Sequence, residues 1–308
     1  EAGVETLFHT SIIGAEVSGS RISHIRLTSK EGERKVSADM FIDATGDGDV
    51  AAFAGCPFTF GRSDDGLAQA MTTSFRMAGV DKSEMRETDG HKAARRGVNS
   101  YFLSSKEKGE LIFPHRDFIH FYDYPGPDVL HFNMTRINRV SGLAVRDLTA
   151  AEMEGRRQAY VIADWLRETV PAFSNAYLEK LACQVGVRET RHVDGEYTVD
   201  LTDIRKGTKF SDGIARSCYF ADIHSPTGSG FVHERTDADK SDPGQHKSSF
   251  APPEGDWYEV PYRSILPHGC ENLLVCCRAL SATHEGSAAV RVMATMTATG
   301  EAAGIAAS

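Results

Sequence analysis

The residues best placed to do chemistry begin with two carboxylates, Asp47 and Asp49, which alternate with glycines in Gly46-Asp47-Gly48-Asp49-Val50-Ala51. This order matches G-x-G-x-x-A, a dinucleotide fingerprint when a strand precedes it and a helix follows. A pyrophosphate sits at a helix N-terminus because the backbone N–H groups and the dipole favour an anion there, and two carboxylates at the same place repel one. The acidic residue expected about 20 positions further on would fall in 62–70, which does not read as a strand. Carboxylates at such a turn suit sugar or polyol hydroxyls better than phosphates. A pair of helix N-cap residues is the structural alternative.

A second group lies in 183–193, read as a strand with Cys183, Val185 and Val187 on one face. Glu189 and Arg191 interrupt that face, while Arg188, Thr190 and His192 occupy the other. Charges on both faces of a strand are costly unless paired or solvent-lined. Either a cross-strand ion-pair network forms, or Arg188 or Arg191 meets an anionic substrate group or a cofactor. His224, beside Asp222 in a loop, and His284, just before the last helix, are the acid/base candidates, because the imidazole titrates near neutrality. A surface position is the plain alternative for each. His224 and His233 are nine residues apart with no pattern that fixes a coordination shell, so no metal site is assigned.

The elements that must position these residues follow from periodicity. Segments 4–17, 21–28 and a third with Val36, Ala38, Met40 and Ile42 on one face read as an antiparallel meander. The chain then enters a strand, a glycine turn and an Ala-rich helix over 41–55. Segments 118–122 and 129–136, joined by Asp123-Tyr124-Pro125-Gly126-Pro127-Asp128, read as a hairpin. Thr149 with Glu152 reads as a capping box opening a helix striped by Ala159, Ile162, Ala163, Leu166 and Val170 and stopped by Pro171. Strands are expected at 183–193 and 197–201, a long lid at 225–255, a strand at 272–277 and a single helix over 288–307.

The 308 residues suffice for one large or two ordinary domains, and 41% hydrophobic with 25% charged residues is a globular composition. Net charge is −9, with no dense basic run, which argues against nucleic acid binding. No apolar stretch approaches the roughly 20 residues needed to cross a bilayer, so no membrane partner is expected. Six scattered cysteines without C-x-x-C point to neither a disulfide framework nor a zinc site, and the expected location is the reducing cytoplasm. Asn133-Met134-Thr135 reads as a chance glycosylation sequon. Oligomeric state is not legible.

The run IDATGDGDVAAFAG (42–55), FGRSDDG (60–66), VGVRETRHVDGEYTV (185–199), DIHSPTG (222–228) and the long signature from Val260 through Arg278 to Ala307 resemble, in order, the motifs of bacterial FAD-dependent oxidoreductases of the glutathione-reductase-like superfamily. The resemblance implies an α/β fold in which residues 1–75 and 258–308 form an incomplete FAD-binding Rossmann-like domain. A β-rich substrate domain, 76–257, is inserted between them. It implies a chain that lacks the N-terminal βαβ unit holding the pyrophosphate, and therefore weak FAD binding or none. Thr45, Gly46, Asp47, Arg278 and Gly300 are the implied cofactor-facing residues, and Arg188, His224 and His284 the implied catalytic ones. The implied reaction is hydride transfer from a small organic substrate to flavin. A non-catalytic binding module is the other reading. Cys277 stands where the family pattern has glycine.

Overall fold

The computed structural model describes residues 3–85, 91–111, 116, 118–228 and 250–308. The first elements are β1 (Ser11–Ser18), β2 (Arg21–Ser29), β3 (Gly32–Val36), β4 (Phe41–Asp43), α1 (Asp49–Phe53) and β5 (Phe58–Phe60). Next come β6 (Phe75–Ala78), α2 (Lys82–Met85), α3 (His91–Glu107), β7 (Phe121–Asp123), β8 (Leu130–Phe132), α4 (Val145–Thr169) and β9 (Tyr177–Leu181). The remainder are β10 (Arg191–Val193), α5 (Leu201–Lys206), β11 (Gly213–Ser217), β12 (Tyr258–Pro261), β13 (Leu273–Val275), α6 (His284–Val290) and α7 (Met293–Ala307). The fold is mixed α/β with several small sheets. Its described residues fall into two units, one of 3–66, 189–222 and 250–308, the other within 67–188 and 223–228.

In the first unit, β1, β2 and β3 form the antiparallel meander, with Gly19 at φ 63° in the tight turn between β1 and β2. The expected third strand breaks in two. Val36 ends β3, and β4 instead pairs in parallel with β13, Phe41 opposite Leu273 and Asp43 opposite Val275. Ile42 is 39% exposed while Phe41 and Asp43 are buried, the reverse of the expected face. The buried Asn272 side chain redirects the chain: it pairs with the N–H and C=O of Ile22 and also donates to the Asp39 carbonyl. Behind the parallel pair Phe41, Val50, Ala51, Cys56, Val193, Leu273, Val275 and Ala279 pack into one core.

The strand expected at 183–193 shrinks to β10 and a bridge between Gly186 and Thr72, and the one at 197–201 to a bridge between Val199 and Ala282. Leu201 instead begins α5, which Asp200 and Asp203 cap reciprocally and which ends at Gly207 with φ 60°. This D-x-x-D box outweighed the β-like Tyr-Thr-Val run before it. The expected terminal helix is likewise two helices. Thr283 caps α6 by accepting from the Gly286 N–H, and Arg291 separates α6 from α7 while donating to the Asp222 carbonyl.

In the second unit, β7, β8, β6 and β9 form an antiparallel sheet in that order, so the expected hairpin is present as β7 and β8. Strand β6 is only four residues long, too short for its alternation to stand out in the sequence. Helix α4 lays Ala151, Gly155, Ala159, Ile162, Ala163 and Leu166 into the core, and the Phe75 and Phe132 rings stack at 4.9 Å. The expected capping box is absent: α4 starts four residues earlier, at Val145, and the Thr149 hydroxyl donates back to the Val145 carbonyl at 2.7 Å. Pro171 does end the helix, since it has no N–H to continue the ladder. Residues 229–249 of the expected lid lie outside the described residues.

Candidate active site

Strand β4 delivers the chain to the carboxyl end of the parallel pair, where Asp43 organises the next eight residues. Its fully buried carboxylate accepts from the Thr45 N–H (3.0 Å), the Thr45 hydroxyl (2.7 Å) and the Ala51 N–H (3.0 Å), while the Thr45 hydroxyl accepts from the Asp49 N–H. Side chains thus consume donors in the first turn of α1 that a pyrophosphate would need. Gly46 and Gly48 adopt φ 86° and 66°, and a Cβ at Gly46 would come within 2.7 Å of the Arg278 guanidinium. Local geometry therefore accounts for these glycines without a phosphate.

Asp47 and Asp49 do not cap α1. Asp47 Oδ1 accepts from the Thr190 hydroxyl (2.8 Å) and from Arg278 Nη2 (2.7 Å). Arg191 Nη1 donates to the Asp47 carbonyl and to Asp49 Oδ1, both at 2.8 Å. Arg278 and Arg191 each keep a buried Nε with no partner among the described residues. The structure thus brings Thr45, Gly46, Asp47 and Arg278 together. Gly300 lies on α7, and a Cβ there or at Gly304 would have no described atom within 4 Å. The buried side of α7 is instead made by Thr295, Thr299 and Ala303. Next to Arg278, Cys277 adopts φ 70°, the left-handed conformation that glycine takes without cost, and burial pushes its thiol up.

Beneath this turn, in the same unit, three ionisable side chains form a buried cluster. His192 Nε2 lies 2.7 Å from Glu189 Oε1, and His284 Nδ1 lies 2.8 Å from the same oxygen. The side chains of Glu189, His192 and His284 are 0%, 2% and 5% exposed. Burial raises the Glu189 carboxyl, but the hydrogen bonds from His192 and His284 and the charges of both rings outweigh it, and the carboxyl moves from 4.5 down to about 2. Arg62 and Arg291 add positive charge near it.

Because its folded value lies below its unfolded one, Glu189 stabilises the fold fully above pH 4.5 and loses that contribution as pH falls towards 2. The total is on the order of 3 kcal/mol. The stability difference between the native chain and Glu189→Gln, read from urea unfolding, is therefore expected to narrow by about that amount between roughly pH 5.5 and 2.5. A difference independent of pH would show that the imidazoles do not hold the carboxylate ionised.

The other two candidates belong to the second unit. Arg188 Nη1 donates to the Ala70 carbonyl and, at 2.8 Å, to the Thr72 hydroxyl. The N–H of the buried His224 donates to Gln69 Oε1 at 3.1 Å. Both residues converge on segment 69–72. In the stretch 183–193, Arg191 forms an ion pair with a distant carboxylate, Asp49.

Sequence reasoning passed over Asp43, Thr190 and, above all, Glu189 and His192 as site residues. The one available signal was a carboxylate set among Arg188, Arg191 and His192 in an otherwise apolar stretch. Among the described residues no group of three or more His, Cys, Asp or Glu side chains is arranged to hold a metal ion, and no helix is long and apolar enough to cross a membrane.

The family model described as FAD dependent oxidoreductase matches residues 1–308. No curated protein matches the chain. Among solved structures, the OxyS anhydrotetracycline hydroxylase from Streptomyces rimosus aligns at 14% identity and a TM-score of 0.31, covering 63% of this chain and 31% of its own. BexE, studied for oxidation during BE-7585A biosynthesis, aligns at 14% and 0.33, with 61% of this chain and 30% of its own covered. CabE, an aromatic hydroxylase from angucycline biosynthesis, aligns at 10% and 0.32, with the same two coverages. The chain thus spans about a third of the length of these structures, and scores of this size support no conclusion about its chemistry.

Proposed function

We propose a reaction from one premise: the chain belongs to the FAD dependent oxidoreductase family. The reaction is hydride transfer from a small organic substrate to flavin. When bound, the flavin would supply the redox chemistry by accepting the hydride. Thr45, Gly46, Asp47, Arg278 and Gly300 are the residues that would face it, in a Rossmann-like unit built on the β4–β13 pair. Two observations support the fit: the open space beside Gly300 and Gly304, and the buried Nε of Arg278, which has no partner among the described residues. The observation that carries the reading is a polar turn at the carboxyl end of two parallel strands, where α/β proteins bind ligands, with a carboxylate-held imidazole in the same unit. His284 would take the substrate proton.

Because Asp43 and Thr45 consume N–H donors at the start of α1, these residues would hold the ring and polyol end of the cofactor rather than its pyrophosphate. Riboflavin, FMN and FAD are therefore expected to bind the chain with Kd values within about tenfold of one another, a spread of about 1.4 kcal/mol. Arg278→Ala should weaken all three alike. Fluorescence titration measures this. FAD binding more than about a hundredfold tighter than riboflavin would place the pyrophosphate in this chain and refute the reading of α1; no binding of any of the three would favour a non-catalytic module.

A further inference from the structure

We propose that Glu189 is a positioning residue that fixes the tautomer of His284, so that His284 Nε2 is the lone-pair nitrogen that accepts a proton from an alcohol or amine substrate. This rests on the hydride-transfer reading above. An ionised carboxylate can only accept hydrogen bonds, so both ring nitrogens that touch Oε1 must carry hydrogen. In their neutral forms His284 is then the Nδ1–H tautomer and His192 the Nε2–H tautomer.

Their remaining nitrogens are not equivalent. His192 Nδ1 is buried with no partner among the described residues and has no route to a substrate. His284 Nε2 also lacks a partner among the described residues but is not sealed off, since the residue keeps 6% exposure. His284 is the first residue of α6, directly after the capping Thr283. One carboxylate thus sets two imidazoles and leaves a single usable base.

That base defines the substrate class. Were the substrate carbon to give up hydride to a bound flavin, the O–H or N–H on it would break, its proton would bond to His284 Nε2, and its electron pair would become the new C=O or C=N bond. A substrate without such an O–H or N–H has no proton for His284 to take.

The test uses the full chain labelled with 15N-histidine, without flavin, at alkaline pH. Long-range 1H–15N spectra distinguish protonated from lone-pair ring nitrogens, and His284→Gln and His192→Gln assign the signals. A single Nδ1–H tautomer for His284 and a single Nε2–H tautomer for His192 are expected. An Nε2–H tautomer or a mixture at His284 in the native chain would overturn the proposal, whether or not any variant folds. In Glu189→Gln the neutral amide can present either C=O or NH2, and His284 should become a mixture; a persisting single Nδ1–H form would also overturn it. Since flavin is absent, failed flavin binding with the expected tautomers would sink the hydride-transfer reading alone. With flavin bound, anaerobic bleaching by alcohols or amines is expected, and bleaching only by substrates lacking that O–H or N–H would refute the substrate class.

Discussion

Gly286→Ala is expected to destabilise the first unit by about 3–5 kcal/mol, the combined effect of an overpacked contact and strained backbone hydrogen bonds. A Cβ at position 286 would lie 2.1 Å from the Val199 carbonyl oxygen and 2.9 Å from its carbon, and backbone cannot rotate away as a side chain can. Relief requires α6 to move off the loop before α5. That movement strains the Val199 N–H bond to the Ser281 carbonyl and the Thr283 N–H bond to the Val199 carbonyl. His284 would move with the helix, away from Glu189. Urea unfolding gives the stability, and the His284 nitrogen resonances report the displacement. Gly300→Ala supplies the contrast. With nothing within 4 Å of its added Cβ and a helical backbone, it is expected to stabilise the chain by about 0.5–1 kcal/mol. If both substitutions cost the same, packing at position 286 is not what the geometry says.

Asp43→Ala is the second large effect, expected at about 3–5 kcal/mol because it strips the acceptor from two backbone N–H groups and a hydroxyl around a fully buried side chain. The cost should concentrate at the turn from Thr45 to Asp49 and in α1. Amide hydrogen exchange at Thr45, Asp49 and Ala51 should rise well before exchange in β13 does. Asp43→Asn is expected to recover less than half the loss, since its NH2 must face one of the N–H donors. Uniform exchange changes across the unit would indicate that Asp43 supports the core generally and does not organise the turn. Arg278 and Asp47 sit on that turn, so a loosened Asp43 variant should also bind riboflavin more weakly.

Much was legible in the amino-acid pattern because it depends on neighbours in the chain. The meander follows from alternation and a Gly-centred turn, the strand–glycine turn–helix at 41–55 from local residue types, and α4 from its 3.6-residue stripe. The family motifs are equally local, and the family follows from them. Where an element depended on partners far away, the pattern failed. Val36 to Ile42 alternates like one strand, yet Asn272, some 230 residues on, holds Ile22 and Asp39 and turns the chain towards a parallel partner. Residues 183–193 look like a strand with misplaced charges because nothing nearby shows where those charges go. Arg191 goes to Asp49, Thr190 to Asp47, Arg188 to Ala70 and Thr72, and Glu189 to His284, 95 positions away. A buried charge is tolerated only with a partner, and partners are chosen by proximity in three dimensions. The sequence by itself therefore determined which residue types were available for chemistry and, through its motifs, the family. Only the tertiary structure decided that Glu189 holds His284 and that Asp43, not a phosphate, occupies the donors at the start of α1.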